Sequence, residues 1–187
     1  MRSLPVRRTA DLRKGRASVP EARYFVTCCL VRPTRALVGA VRAGAVANAI
    51  RRLEFDGDCS LNAATIMPDH VHLLFGLGNR LSLSRMVAKL KGLSEKAIRS
   101  GRGEWQENFF EHRLRADEPA DPYAKYIFMN PYCGDLIGRR ETWPYWLAGS
   151  ASLAFTAMLE EGNYPPPEWK EETPEAMGLS EICVGVD

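Results

Sequence analysis

Residues 59–75 read CSLNAATIMPDHVHLLF. The first nine are small, apolar and β-branched, which predicts a strand over 59–67. Pro68-Asp69 interrupts it, and residues 70–75 (HVHLLF) predict a second strand. Strand side chains alternate between faces, so His70 and His72 share one face. Val71, Leu73 and Phe75 take the other and are expected to fill a core beneath helices.

The rest of the pattern extends outward from this pair. Residues 23–31 (RYFVTCCLV) predict a buried strand. Between the two, Val41, Ala45, Val46, Ala49, Ile50 and Leu53 recur at helical spacing, and Asp56-Gly57-Asp58 makes a turn. After the pair, residues 82–100 give the clearest helix. Leu83, Met86, Val87, Leu90, Leu93, Ala97 and Ile98 form its apolar stripe, and Ser82 or Ser84 is placed to cap it. Residues 109–115 predict a strand and 120–130 a helix that ends before Pro131. The order predicts an α+β fold. It is a ferredoxin-like βαββαβ antiparallel sheet with helices on one face plus an extra helix carrying a tyrosine. Residues 141–150 hold a compact aromatic set. From about 151 the chain is acidic, with Pro165-Pro166-Pro167 and at most a short helix at 151–161. The division is therefore 1–22 as a basic arm, 23–150 as the domain, and 151–187 as an acidic, proline-containing tail.

The chain has 187 residues and 45% hydrophobic content, enough for one packed domain. No run is long and apolar enough to span a membrane. The arginine-rich start is followed by no apolar run of signal-peptide type. Five cysteines, with no C-x-x-C pair, fit free thiols in a reducing compartment and predict a cytoplasmic protein. The net charge of +2 conceals an asymmetry. Residues 1–52 carry twelve Lys/Arg against two acids, and residues 154–187 carry eight acids against Lys170. A basic arm points to a polyanion partner, or else to a solvated arm with none.

Two imidazoles on one strand face can clamp a divalent metal, or can simply be two partly exposed histidines with ordinary hydrogen bonds. A metal needs a third ligand from a nearby element. Tyr126 and Asn130 are four apart and share a helix face. A tyrosine there is either a nucleophile beside a metal-polarised electrophile or a core ring.

The stretch Ile66–Phe75 (IMPDHVHLLF) resembles the HUH signature of single-tyrosine transposases, commonly M-P-N-H-x-H followed by apolar residues. Trp105–Arg115 (WQENFFEHRLR) resembles the W-Q-x-x-F/Y segment of the REP-associated branch. Tyr126–Pro131 (YIFMNP) resembles its Y-I-x-x-N-P motif. Arg23–Thr27 (RYFVT) is similar to its first strand, and Trp143–Trp146 (WPYW) to its closing aromatic motif. The matches run in order over about residues 7–150. Asp69 stands where asparagine is usual.

The resemblance implies metal-dependent cleavage and strand transfer on single-stranded, hairpin-forming (REP-like) DNA, with no membrane partner. His70 and His72 match the metal-ligand histidines, Asn130 matches the polar residue that supplies a third ligand, and the metal is Mg²⁺ or Mn²⁺. Tyr126 matches the nucleophile that forms a 5′-phosphotyrosine. Tyr123 lacks the matched spacing to Asn130, and His112 reads as structural rather than as a ligand. DNA contacts are expected from Arg7, Arg8, Arg13, Lys14 and Arg16, then from Lys89, Lys91 and Lys96, with stacking on Trp105, Trp143 or Trp146 secondary to core packing. The relatives leave monomer and homodimer open. Two other readings use the same residues: a non-catalytic DNA-binding regulator on this scaffold, and a metal-dependent phosphodiesterase that uses water.

Overall fold

His70–Leu77 (β3) is the middle strand of a five-stranded sheet. In this computed structural model, which describes residues 18–174, 176, 177 and 179, the sheet order is β4-β1-β3-β2-β5. Its other members are β1 (Arg23–Cys29), β2 (Cys59–Ile66), β4 (Phe110–Arg113) and β5 (Trp146–Ala148). Every adjacent pair is antiparallel. The first four strands, with α1 (Ala40–Phe55) and α2 (Leu83–Ser100), make the predicted βαββαβ arrangement.

The period-two pattern sorts side chains into two cores. On one face Val26, Cys28, Ala64, Ile66, Val71, Leu73 and Phe75 pack with Val46, Ile50 and Leu53 of α1 and Met86, Val87 and Leu90 of α2. The apolar partners expected for Val71, Leu73 and Phe75 are thus the two crossover helices. On the other face Phe25, Ala63 and Leu74 pack under α3 (Asp121–Cys133) through Tyr123, Ala124, Ile127 and Met129. The tyrosine helix therefore lies across the sheet from α1 and α2.

Ser82 caps α2, its side chain accepting from the Arg85 N–H at 3.4 Å. Three details depart from the sequence pattern. Leu93 and Val41 are exposed, and Ser94 is buried instead, its hydroxyl donating to the Leu90 carbonyl at 3.0 Å. Burying that hydroxyl is cheap because the helix backbone satisfies it. Helix α3 does not stop before Pro131 but runs to Cys133. A proline near a helix end removes only its own N–H from the ladder, and the Gly134 N–H still bonds to the Asn130 carbonyl at 2.9 Å.

Strand β5 comes from the aromatic set at 141–150 and pairs with β2 beside a bulge between Leu61 and Ala63. A Cβ on Gly149 would meet the Leu61 carbonyl oxygen at 1.7 Å, so only glycine lets the chain pass there. The segment from 151 packs over α3. Its short 3₁₀ turns Ala154–Met158 and Pro167–Glu171 bury Phe155 and Trp169 in the second core, where Leu153 and Leu179 join them. The Trp169 ring lies under the Lys125 ammonium at 4.0 Å, and Lys125 pairs with Glu172 at 2.7 Å. Among the described residues, no helix is long and apolar enough to cross a membrane.

Candidate active site

Register places His72 between two threonines. Thr27 of β1 and Thr65 of β2 are its cross-strand neighbours. His72 is fully buried, and its Nδ1 lies 2.8 Å from the Thr27 hydroxyl. His70 lies two residues along, nearer the strand end, and its Nδ1 donates to the Asp69 carboxylate at 2.7 Å. An ionised carboxylate only accepts, so this bond holds the proton on Nδ1 and leaves the His70 Nε2 lone pair free. That nitrogen is 3.1 Å from the His72 Nε2. Burial holds the His72 imidazole well below its ordinary titration range. The neighbouring His70 adds to this, and a hydrogen bond with the Asn130 side chain opposes it.

Helix α3 completes the site. Asn130 Nδ2 donates to the Tyr126 carbonyl at 3.0 Å. The same side chain also interacts with His72. The Tyr126 ring sits edge-on to His72, with centroids 5.6 Å apart, and against Phe25. Tyr126, Asn130, His70 and Asp69 all line one open cleft of about 600 Å³. Tyr123, one turn earlier, is buried, and its hydroxyl donates to Glu118. Glu118 also bonds His112 Nε2 at 2.9 Å and the Arg115 N–H at 3.0 Å. Glu118, His112 and Tyr123 thus tie the end of β4 to the start of α3, and of the two tyrosines only Tyr126 faces the cleft.

The fold and this geometry invite comparison with known proteins. A family model described as "Transposase IS200 like" matches residues 19–127, more than half of the chain. The chain belongs to the IS200-like transposase family. The match begins just before β1 and ends one residue past Tyr126, so it takes in both histidines and the tyrosine. The ISDra2 transposase TnpA of Deinococcus radiodurans is 29% identical over 47% of this chain and 62% of its own length. A Haemophilus influenzae protein described as a REP-associated tyrosine transposase is also 29% identical, over 44% of this chain and 55% of its own. The chain thus spans less than two thirds of either relative. A solved structure of a REP-associated tyrosine transposase bound to a REP hairpin superposes with a TM-score of 0.61 at 22% identity. It covers 80% of this chain and 86% of that one, and it shows the same fold.

In this chain the sequence-derived site residues divide into three groups. His70, His72, Tyr126 and Asn130 come together as described. Arg7, Arg8, Arg13, Lys14 and Arg16 lie outside the described residues. Lys89, Lys91 and Lys96 lie on α2, which packs on the sheet face opposite α3. Lys89 is held by Asp58 at 2.6 Å and Asp56 at 2.8 Å, and Lys91 by the Gln106 and Asn108 carbonyls. Lys96 is exposed. The tryptophans are core residues first. Trp143 Nε1 donates to the Ile66 carbonyl, Trp105 Nε1 to Ser94, and Trp146 packs on Phe128. Sequence reading missed Thr27, whose role depends on strand register. It also missed Arg35, Lys170 and Met177, which line the cleft from a loop and from the segment beyond 151.

Proposed function

We propose that this chain is a metal-dependent nuclease and strand transferase for single-stranded DNA, with Tyr126 as nucleophile. The observation that carries the reading is the pair of imidazole Nε2 atoms 3.1 Å apart, His70 lining the cleft beside Tyr126 and Asn130 and His72 buried behind it. Two ligands on an octahedron edge, each about 2.1 Å from the ion, are about 3 Å apart, so the pair fits one Mg²⁺ or Mn²⁺. With the His72 proton on Nδ1, donated to the Thr27 hydroxyl, and the His70 proton on Nδ1, donated to Asp69, both Nε2 lone pairs would be available to an ion, as ligation requires. Among the described residues no group of three His, Cys, Asp or Glu surrounds a point. Asn130, which the family resemblance puts forward and which shares the cleft with His70, would supply a third protein ligand, with substrate oxygens and water completing the shell.

A bound cation supplies charge neutralisation and orientation at the scissile phosphate. The chain does the rest. Helix α3 holds the Tyr126 hydroxyl at the cleft, where its oxygen bonds to phosphorus as the bond to the 3′ oxygen breaks. In net balance the phenolic proton ends on the released 3′-hydroxyl, and a 5′-phosphotyrosine remains. Attack by another 3′-hydroxyl reverses the step and joins strands without ATP. The relative solved with a REP hairpin supports a hairpin-forming substrate. Nicking of a labelled hairpin oligonucleotide in Mn²⁺ tests the proposal. Tyr126→Phe and the His70→Ala/His72→Ala pair should each abolish cleavage while Tyr123→Phe keeps it. Cleavage that survives Tyr126→Phe would instead establish attack by water.

A further inference from the structure

The cleft does not end at His70. Its wall on the β1 side is the loop after β1, through Pro33, Thr34 and Arg35. This loop is fastened at both ends to the site. The Leu30 N–H bonds to the Asp69 carbonyl at 2.8 Å and the Leu37 N–H to the Pro68 carbonyl at 2.9 Å. On its far side the Val31 N–H bonds to the Glu104 carbonyl at 2.8 Å. A second, smaller hollow of about 180 Å³ opens there, lined by Val31, Arg32, Thr34, Arg102, Gly103 and Glu104. Thr34 belongs to both hollows, and its buried hydroxyl has no hydrogen-bond partner.

Charge along this route is one-sided. Arg32, Arg35 and Arg102 are exposed, and among the described residues no ion pair engages them. The carboxylates that line the two hollows are Asp69, which His70 engages, Glu172, which Lys125 engages, and Glu104. Across the cleft the situation is reversed, with Lys170 paired to Asp135 at 2.5 Å. Arg102 is also held at φ +62°, a left-handed position just after α2 where glycine is the usual residue. Glu21, Asp135 and Asn163 share such left-handed angles, but of the four only Arg102 brings a positive charge to the route. Gly103 beside it permits the close approach, since a Cβ there would meet Ala36 Cβ at 2.9 Å and Ile98 Cγ2 at 2.7 Å.

We infer that Arg35, Arg32 and Arg102 form a phosphate track that carries the unpaired DNA strand out of the cleft, past the loop after β1, to the end of α2. This rests on the single-stranded DNA reading above. Guanidiniums grip backbone phosphates without regard to base. The track lies at the histidine end of the sheet, where the loop after β1 bonds to Pro68 and Asp69.

The test is binding in EDTA, so that no cleavage intervenes. Fluorescence anisotropy would compare a blunt hairpin with the same hairpin bearing an unpaired oligo-dT extension on its 5′ or its 3′ side. Each phosphate contact on a single strand contributes about 0.7 to the salt slope of log affinity. Arg32→Ala/Arg102→Ala should therefore lower the slope by about 1.4 on one of the extended hairpins. That corresponds to about 25-fold weaker binding at 0.1 M salt, with the curves meeting near 1 M. Arg32→Lys/Arg102→Lys should restore most of the slope. Arg102→Gly should lose about 0.7 of slope while the protein melts no lower than wild type, a combination that a purely structural arginine would not give. An unchanged slope on both extended hairpins, or an equal loss on the blunt hairpin, overturns the track. Adduct formation by the wild-type protein is read separately, so failure of the chemistry and failure of the track are distinguishable.

Discussion

Replacing Asp69 isolates the part of the site that prepares His70 for a metal. Its carboxylate accepts from His70 Nδ1 at 2.7 Å, and both side chains are largely shielded, at 25% and 11% exposure. Asp69→Ala removes the acceptor. The imidazole can then carry its proton on Nε2 and donate to His72 Nε2, the nitrogen 3.1 Å away. A metal would have to displace that proton and break that bond. Outer-shell partners of this kind are worth about 10- to 100-fold in metal affinity, or roughly 1.4–2.7 kcal/mol. Asp69→Asn keeps an acceptor oxygen but not its charge, so its loss should be smaller, within about 10-fold. The assay is calorimetric titration of the apo protein with Mn²⁺ at fixed pH, alongside thermal melting without metal. Asp69 is partly exposed and belongs to neither core cluster, so the metal-free melting temperature should move little. Wild-type Mn²⁺ affinity in Asp69→Ala, with affinity abolished in His70→Ala, would refute the reasoning.

Three further outcomes follow from the packing. Trp169→Ala should cost about 3–5 kcal/mol, the range for emptying a large aromatic site, and lower the melting temperature by about 6–20 °C. A change of a degree or less in calorimetry would mean that the segment beyond 151 is not part of the fold. Gly149→Ala should unpair β5, which hydrogen exchange would show as lost protection of the amides at 146–149 while β3 stays protected. Burial pushes the Cys59 thiol up to about 12, with Glu54 and Asp58 adding to it. Iodoacetamide at pH 8 should therefore leave Cys59 unmodified in the native protein and alkylate it on unfolding, which peptide mass spectrometry can follow.

The sheet and its two crossover helices were legible because each carries its own period. Val71, Leu73 and Phe75 alternate, and Met86, Val87 and Leu90 recur every three or four residues. His70 and His72 were legible as a same-face pair for the same reason. What escaped depends on contacts distant in sequence. Strand β5 has only three residues, too few to alternate, and exists because β2 offers an edge beside its bulge. Phe155 and Trp169 stand apart in an acidic, proline-rich stretch, and their burial is set by the outer side of α3. Ser94 is buried in place of Leu93 because its hydroxyl is satisfied by its own helix, which no hydropathy pattern encodes. Thr27 reaches His72 only through the β1–β3 register, which sequence spacing does not reveal.

The central claim is that Tyr126, and not Tyr123 or water, takes the DNA strand. The direct measurement is peptide mapping of the covalent species formed when the wild-type protein meets a single-stranded hairpin substrate in Mn²⁺, after nuclease trimming of the bound strand. The account predicts a nucleotide 5′-phosphate on the peptide containing Tyr126, on its phenolic oxygen, and none when His70 and His72 are both alanine. A 5′-phosphate on any other residue, or cleaved DNA with no protein-linked nucleotide, would contradict it.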